Sequence, residues 1–572
     1  MLSRRDALEA LSTESFDVAV IGGGITGAGV ALDAASRGYS VALVERDDYA
    51  VGTSSRSSKM VHGGLRYLQN FDLGLVREAL LERQLMVQLA PHLVYPTPFL
   101  VPTIGEGRRS RRIGIGLNMY DVMATTRVGQ GRRERQARER ARERERVEAM
   151  AEADWAPDRH RTIPGDEAAE LIPALSPLDP SSAYLFYDCQ TDDARLVLTV
   201  LGEAERFGAV FANGVDVVEL ISNNGRAVGV VCTDAESSER FEVRATNVVN
   251  ATGVWADRIR PEEILAEEEV PRIAPSRGTH VTISQEQLPL ENAACIVPAG
   301  EERTIFALPW YGRALIGTTD RDYEGDIARV EPSGDDIEYL LEATNSFFGT
   351  EIGAGELTGA YAGLRPLIST GDPRKSVDIS RRAELYETSS GLLTITGGKL
   401  TTWRRMAKQV VDRMVEREGR DAPCQTAEIP LGMPADDADL APPDALEEAN
   451  LPNGWRALLA FRYGHAARRV LAVAAEHPEL AAPIVPGQPD LLAEAAIAAR
   501  LEQARSLADV LLRRTRLGLV AAPQLGTAES VVPVAEAMGS ELGWSRRRAR
   551  REAEDWVEVA VAEGIDPART VT

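Results

Sequence analysis

The chain has 572 residues, 44% of them hydrophobic, which is long enough for two or three packed units and too apolar for a disordered protein. A formal net charge of -23 argues against general nucleic-acid binding, which needs a net or clustered positive surface. Only four of the 64 basic residues are lysines; with the acidity this points to adaptation to concentrated salt, where the screening length falls to about 3 Å at 1 M, although a GC-rich genome writing arginine for lysine gives the same bias.

The N-terminal stretch MLSRRDALEALSTES lacks the apolar core of a signal peptide, and no run of eighteen apolar residues follows anywhere. A cytoplasmic chain that does not span a membrane is expected. Cys189, Cys232, Cys295 and Cys424 are far apart with no C-x-x-C pair, so neither a zinc knot nor an iron-sulfur cluster has its ligands, and no metal is expected.

Phe16 to Arg46 reads as strand, glycine turn, helix and strand. Gly22, Gly24 and Gly27 fit G-x-G-x-x-G directly after the apolar strand Val18 to Ile21. Such glycines permit a sharp turn, the approach of a pyrophosphate to a helix N-terminus, and close helix-to-strand packing. Glu45 closes the second strand, where a carboxylate accepts hydrogen bonds from an adenosine ribose. The motif alone does not separate NAD from FAD. Next comes RSSKMVHGGLRYL, positions 56 to 68, which holds Lys59. The Arg/Glu-rich run after GIGLNMYDVMATTR predicts an exposed helix with i,i+4 pairs; a basic contact to anionic lipid or to a partner subunit is the sharper reading of it.

Ala245 to Asp257 predicts another apolar strand, ending in Ala251-Thr252-Gly253, and Leu392 to Ala407 a third that runs through a glycine turn into a helix. Three strand ends finishing in small residues suggest one long cofactor laid across a sheet that the chain revisits, which favours FAD. PADDADLAPPD reads as an acidic linker. The alanine- and leucine-rich remainder, from about Pro442, has helical spacing and reads as a helical cap packed on the flavin domain.

The joint occurrence of IGGGITGAG, GTSSRSSKMVHGGLRYL, DCQTDDARL, NATGVWAD, RGTHV, PWYGRALIGTTD, AGLRPL and ITGGKLTTWRRMA resembles the FAD-dependent glycerol-3-phosphate dehydrogenases, within the glycine-oxidase-like flavoprotein superfamily. The resemblance runs from about Asp17 to Ala407 and resumes at FRYGHAARRVLAVAAEHPELAAPIVPG and ADVLLRRTRLGLV. It implies an α/β fold: a Rossmann-like FAD-binding domain with an antiparallel-sheet substrate domain interleaved over residues 1–430, an insert at about 128–160, a linker at 431–441 and a C-terminal α-helical domain over 442–572.

The cofactor contacts it implies are Gly22, Gly24, Ile25, Thr26, Gly27, Glu45, Thr53, Ser54, Ser58, Lys59, Gly63, Gly64, Ala251, Gly253, Gly398, Lys399, Leu400 and Thr401. Lys59 is then expected beside the flavin or its diphosphate, where a compact ammonium fits and the guanidinium fork does not. For the substrate, Arg365 and Arg381 lie on segments resembling the family's phosphate-binding arginines, and Arg66 and Lys399 complete a basic pocket. His62 and His280 both sit beside glycine on segments expected near the flavin, and either is a candidate proton acceptor.

The activity implied is oxidation of sn-glycerol 3-phosphate to dihydroxyacetone phosphate by hydride transfer to FAD. The absence of cysteine after Cys424 departs from relatives that work in a three-subunit complex and resembles the single-subunit, quinone-reducing type, peripheral on the inner face of the cell membrane. An oxygen-using oxidase, a subunit of a larger dehydrogenase and a scaffold without turnover remain as alternatives. Oligomeric state, a homodimer included, and accessory subunits stay open.

Overall fold

The run Val18–Ile21 is buried on both faces, as a central parallel strand requires, and the rest of the chain is organised around it. The computed structural model describes residues 3–64, 73–105, 111–125, 159–259, 272–300, 303–369, 383–441, 446 and 451–566. In chain order its first strands are β1 (Ser15–Ile21), β2 (Val41–Val44), β3 (Met60–Val61), β4 (Val94–Ile104), β5 (Arg161–Pro164) and β6 (Pro180–Thr191). Then come β7 (Val210–Ala212), β8 (Val215–Asn223), β9 (Arg226–Asp234), β10 (Arg240–Asn250), β11 (Arg272–Ser284) and β12 (Ala294–Pro298). The last are β13 (Thr304–Trp310), β14 (Arg313–Gly317), β15 (Arg321–Asp322), β16 (Leu357–Ser369), β17 (Ala383–Glu387) and β18 (Leu393–Gly397).

One sheet has the order β17-β18-β10-β1-β2-β7, with β9 and β8 branching from β10. β18, β10, β1, β2 and β7 run parallel, so their C-terminal ends share one edge, the edge where open α/β sheets bind ligands. The helix Ile25–Ser36 crosses from β1 to β2 and packs against the helices Asp193–Arg206 and Trp403–Glu418. Its Gly29 has no Cβ because Trp403 stands 2.6 Å from where one would be.

The second sheet has the order β15-β11-β14-β13-β12-β4-β6-β3, with β16 pairing β11 and β5 pairing β6. Its pairings are antiparallel except β12 with β4. Its strands are drawn from between those of the first sheet, so the two sheets interleave in sequence as expected. The helix Gly334–Phe348 covers one face through Ile337, Leu340 and Phe348.

The C-terminal helices Trp455–Tyr463, Ala467–Glu476, Leu492–Leu501, Ala528–Leu542 and Arg546–Ala562 follow. Their apolar faces share one core with Phe99, Leu308, Trp310 and Tyr361 of the second sheet. This region therefore rests its hydrophobic surface on the antiparallel sheet, whereas a cap on the flavin domain was expected. Its links to the segments around the parallel sheet are polar: Arg513 and Arg514 reach Asp48, Arg516 reaches Asp192 and Asp193, and Gln503 bonds Tyr49, Phe211 and Asn213. The stretch read as an acidic linker is packed at Leu431 and Leu440, both buried. The expected Arg/Glu-rich helix lies outside the described residues.

Candidate functional site

A cavity of about 350 Å³ opens along the carboxyl edge of the parallel sheet. β1 contributes Ile21, β2 contributes Val44, and the turn after β10 contributes Ala251, Thr252 and Gly253. β18 supplies Ile395, Thr396 and Gly397, followed by Gly398, Lys399 and Leu400. The three strand ends singled out in the sequence thus meet at one cleft.

The glycine turn is shaped by contacts that exclude a side chain. Gly22 has φ +107°, and a Cβ on it would lie 2.8 Å from the Ala251 carbonyl. A Cβ on Gly27 would lie 1.9 Å from the Gly22 carbonyl, so Gly27 sets how closely the helix approaches its own turn. Gly24, Ile25 and Thr26, at the N-terminus of Ile25–Ser36, line the cavity. The positive end of that helix faces into the cleft, which suits a diphosphate.

Glu45 stands across from the turn and lines the cavity. One carboxylate oxygen accepts the Gly23 N–H at 2.6 Å and the other the Asp47 N–H at 3.0 Å. Burial raises its pKa to about 7, with those two N–H bonds opposing the rise. Thr53 and Ser54 also line the cleft; Ser54 Oγ accepts the Ile25 N–H at 2.9 Å and the Thr53 hydroxyl donates to the Leu364 carbonyl at 2.6 Å. The latter bond ties the parallel-sheet side to β16.

Pro366 of β16 lines the cavity; Arg365, one residue before it on the strand, is half-buried. The Arg365 guanidinium donates to Asp320 at 3.2 Å, to the Thr318 hydroxyl at 3.2 Å and to the Thr319 carbonyl at 3.1 Å. On the adjacent β11, His280 is buried, stacked on Tyr361 with ring centroids 4.7 Å apart, and its Nε2 is 2.9 Å from Ser58 Oγ. Burial, then the Lys59 and Arg365 charges, hold its pKa well below the usual histidine value, so the ring is neutral. His62 is half-buried; its main chain exchanges bonds with the Thr401 hydroxyl at 3.2 and 3.3 Å, next to Lys399 and Leu400.

A profile described as "FAD dependent oxidoreductase" matches residues 17–404. The chain belongs to this family. Its cofactor is FAD, and the cavity fits that group: a cradle closed to side chains at Gly22 and Gly27, a helix N-terminus, and a carboxylate opposite them. A second profile, described as the C-terminal domain of alpha-glycerophosphate oxidase, matches residues 397–549. "Glycerol-3-phosphate dehydrogenase 2" of Mycobacterium bovis is 37% identical over 99% of this chain and 92% of its own length. "Aerobic glycerol-3-phosphate dehydrogenase" of Bacillus subtilis is 36% identical over 75% of this chain and 73% of its own. The glycerol-3-phosphate dehydrogenase of Bacillus halodurans, solved in complex with FAD, superposes with a TM-score of 0.74 at 28% identity, covering 99% of this chain and 98% of that one.

Among the expected cofactor residues, Gly22, Gly24, Ile25, Thr26, Glu45, Thr53, Ser54, Ala251, Gly253, Gly398, Lys399 and Leu400 line the cleft, while Gly27 and Thr401 sit just behind it. Lys59 is placed otherwise than expected. Its ammonium is fully buried away from the cleft, bonded to Asp193 at 2.9 Å and the Ser55 carbonyl at 2.5 Å, over the Tyr361 ring at 4.6 Å. Burial outweighs Asp193 and lowers its pKa to about 8. The physical reason is the buried Asp192-Asp193 pair, which demands cations on the spot. Gly63 differs too: its N–H is taken by the Tyr120 hydroxyl at 2.9 Å and by Asp188 at 3.3 Å, and Leu80 and Tyr120 leave no room for a Cβ. Ser58 is committed to His280, and Gly64, at φ +79°, is buried. Arg66 and Arg381 lie outside the described residues. Arg46, Gly52, Val215 to Val217, Thr252 and Trp255 line the cleft without having been singled out; Thr252 and Trp255 were within reach, since both lie in the quoted NATGVWAD.

Proposed function

We propose that the chain oxidises sn-glycerol 3-phosphate to dihydroxyacetone phosphate. Bound FAD supplies the hydride acceptor at its N5. The observation that carries the reading is a half-buried guanidinium, Arg365, aligned by Asp320, Thr318 and Thr319 and one residue before Pro366, which lines the cofactor cleft. A guanidinium fork there suits a phosphate dianion, and Lys399, which lines the same cleft, adds a second cation. Arg66 and Arg381 complete this phosphate site in the reading.

A proton must leave the substrate hydroxyl, and the two histidines are not equivalent candidates. His280 has Nε2 engaged by Ser58 and its ring sandwiched in the sheet. His62 is half-buried and held by its main chain beside Thr401. We therefore assign proton acceptance to His62 and orientation to His280. Lys59 supports this arrangement from behind, through Ser55 and Asp193, and the contacts assigned to Ser58, Gly63, Gly64 and Thr401 are with the segments that frame the flavin.

Electrons then pass to a membrane quinone, with the protein peripheral on the inner face of the cell membrane and working in glycerol catabolism. Among the described residues no helix is long and apolar enough to cross a membrane. The C-terminal profile bears an oxidase's name, which gives the oxygen-using reading its one specific support. Anaerobic glycerol 3-phosphate should bleach the bound flavin; an unchanged spectrum would sink the proposal. Stoichiometric hydrogen peroxide in air without quinone turnover would move it to the oxidase. The charge of -23 supports a salt-adapted protein, for which the unfolding midpoint should rise between dilute and molar potassium chloride; an equal midpoint would end that reading.

A further inference from the structure

Behind the cofactor cleft lies a cluster of fully buried charges that joins three distant parts of the chain. Asp192 and Asp193 stand at the start of the helix Asp193–Arg206, Lys59 precedes β3, and Arg516 comes from the C-terminal region. All four side chains have no exposed surface. Arg516 follows a π-helical turn, Asp509–Arg514, and has left-handed backbone with φ +68°; Lys59 likewise has φ +58°. Non-glycine residues hold such conformations where their surroundings over-determine them, and such places cluster at functional sites.

The bonds run in one direction, toward the cleft. Arg516 clamps Asp192 through two of its nitrogens, the shorter bond 2.8 Å, and also bonds Asp193 and, at 3.5 Å, the Ser55 carbonyl. Asp193 in turn accepts the Ser57 N–H at 3.1 Å, the Ser57 hydroxyl at 2.7 Å and the Lys59 ammonium at 2.9 Å. Lys59 returns to the Ser55 carbonyl at 2.5 Å, and Tyr361 donates to the Ser57 carbonyl at 2.8 Å. The segment fixed by these bonds carries Thr53 and Ser54, which line the cleft, and Ser58, which meets His280.

We propose that Arg516 is a positioning residue for the FAD site: through Asp193 and the Ser55 carbonyl, the C-terminal region sets the conformation of the segment from Gly52 to Lys59 on which cofactor contacts and the His280 ring depend. Arg516 does not line the cleft. An aspartate pair needs two cations to stay ionised in a dry interior, and Lys59 alone supplies one. With the second missing, the carboxylates and Lys59 rearrange, and Ser55 and Ser57 move with them. The proposal rests on the cleft being the FAD site, and not on the substrate.

The test uses the full-length, FAD-loaded protein with Arg516→Met, Arg516→Lys and, as control, Met538→Ala. Met538 is buried in Ala528–Leu542, so its truncation destabilises the same region without touching the charge cluster. The expected result is that Arg516→Met alters the visible circular dichroism of the bound flavin and lowers kcat about tenfold with KM nearly constant. Arg516→Lys, keeping the charge, should restore part of both, and Met538→Ala should lower the unfolding midpoint with both unchanged. A wild-type flavin signal and kcat in Arg516→Met would overturn the proposal, as would equal changes in the control. Should Arg516→Met fail to fold, Arg516→Lys decides: an altered flavin signal supports the proposal and a wild-type one overturns it. The flavin signal is read without substrate, so it stands even if glycerol 3-phosphate proves not to reduce the enzyme.

Discussion

The cofactor cleft and the charge cluster behind it share the segment from Gly52 to Lys59, yet they are built from opposite materials. The cleft wall is rich in small residues, Gly22, Gly24, Ala251, Gly253 and Gly398, and of its two acids, Glu45 and Asp216, Glu45 is held by two backbone N–H groups. The cluster is made of long charged side chains, Lys59, Arg516, Arg514 and Arg513 against Asp193, Asp192 and Asp48, all buried. The polar groups that the glycine turns present are backbone ones, which cost no side-chain entropy to order. A joint between distant segments uses ions, because a wrong register leaves a buried charge unpaired. The cluster therefore specifies geometry, and the cleft uses it.

If so, damage to the cluster should register as lost stability and damage to the cleft as lost cofactor. The largest effect is expected from Asp193→Ala. It leaves Lys59 and Arg516 with one carboxylate between them and the Ser57 N–H and hydroxyl without their acceptor. Removing one partner of a buried ion group costs about 3–5 kcal/mol, to be read from the denaturation midpoint of the apoprotein. A loss under about 1 kcal/mol would mean that the cluster is no more than a surface pair in its energetics. Gly27→Ala comes next, on the cleft side. Its Cβ would stand 1.9 Å from the Gly22 carbonyl, an overpacking worth about 1–3 kcal/mol, and the turn that yields is the one cradling the diphosphate. The purified variant should be depleted of FAD; full occupancy would show that the turn accommodates a methyl group.

The two regions also differ in how far they could be foreseen. The cleft was legible because strand, glycine turn and helix follow one another locally, and three strand ends of the same character recur in ITGGKL, NATGVW and VIGGG. Parallel strands place those ends on one edge whatever lies between them. Val215 to Val217 gave no such signal: they reach the cleft because the sheet brings the start of β8 beside β2. The cluster was invisible for a stronger reason. DCQTDDARL and ADVLLRRTRLGLV both carry the family resemblance, but the pairing of Asp192 and Asp193 with Arg516, more than 320 residues apart, is a fact of tertiary structure. Scarcity of lysine singles out Lys59, but it carries no sign of the Asp193 carboxylate that stands beside the ammonium.

Lys59→Arg sharpens that point, with Lys408→Arg as its counterpart. The Lys59 ammonium fits between the Ser55 carbonyl, Asp193, and the rings of Tyr361 and Trp310 at 4.6 and 5.5 Å. A wider planar head must push one of them aside, at about 1–2 kcal/mol by overpacking. Lys408 is partly exposed and pairs with Asp412 one turn on, so arginine there should stay within about 0.5 kcal/mol. Equal midpoints for the two variants would mean that the space around Lys59 is adaptable.

The smallest expected effect belongs to Glu45 and is one of pH. Burial lifts its carboxyl to about 7, above the ordinary value near 4.3. Between those two values the folded apoprotein holds a proton that the unfolded chain has released. The contribution to stability is thus present below about pH 4.3 and is lost as pH rises through 7. A carboxylate that accepts ribose hydroxyls must be ionised, so FAD binding expels that proton and affinity should climb as pH rises toward about 7, by up to about tenfold per unit, and level off above it. Glu45→Gln keeps the shape but does not titrate, and its amide nitrogen is a donor, so it loses the acceptor for one of the Gly23 and Asp47 N–H groups. Titrating FAD into apoprotein and following flavin fluorescence should give a rising affinity for the wild type and a lower, flat one for the variant. The same slope in both would take Glu45 out of the ribose contact, and leave its carboxylate as a brace for the Gly23 turn alone.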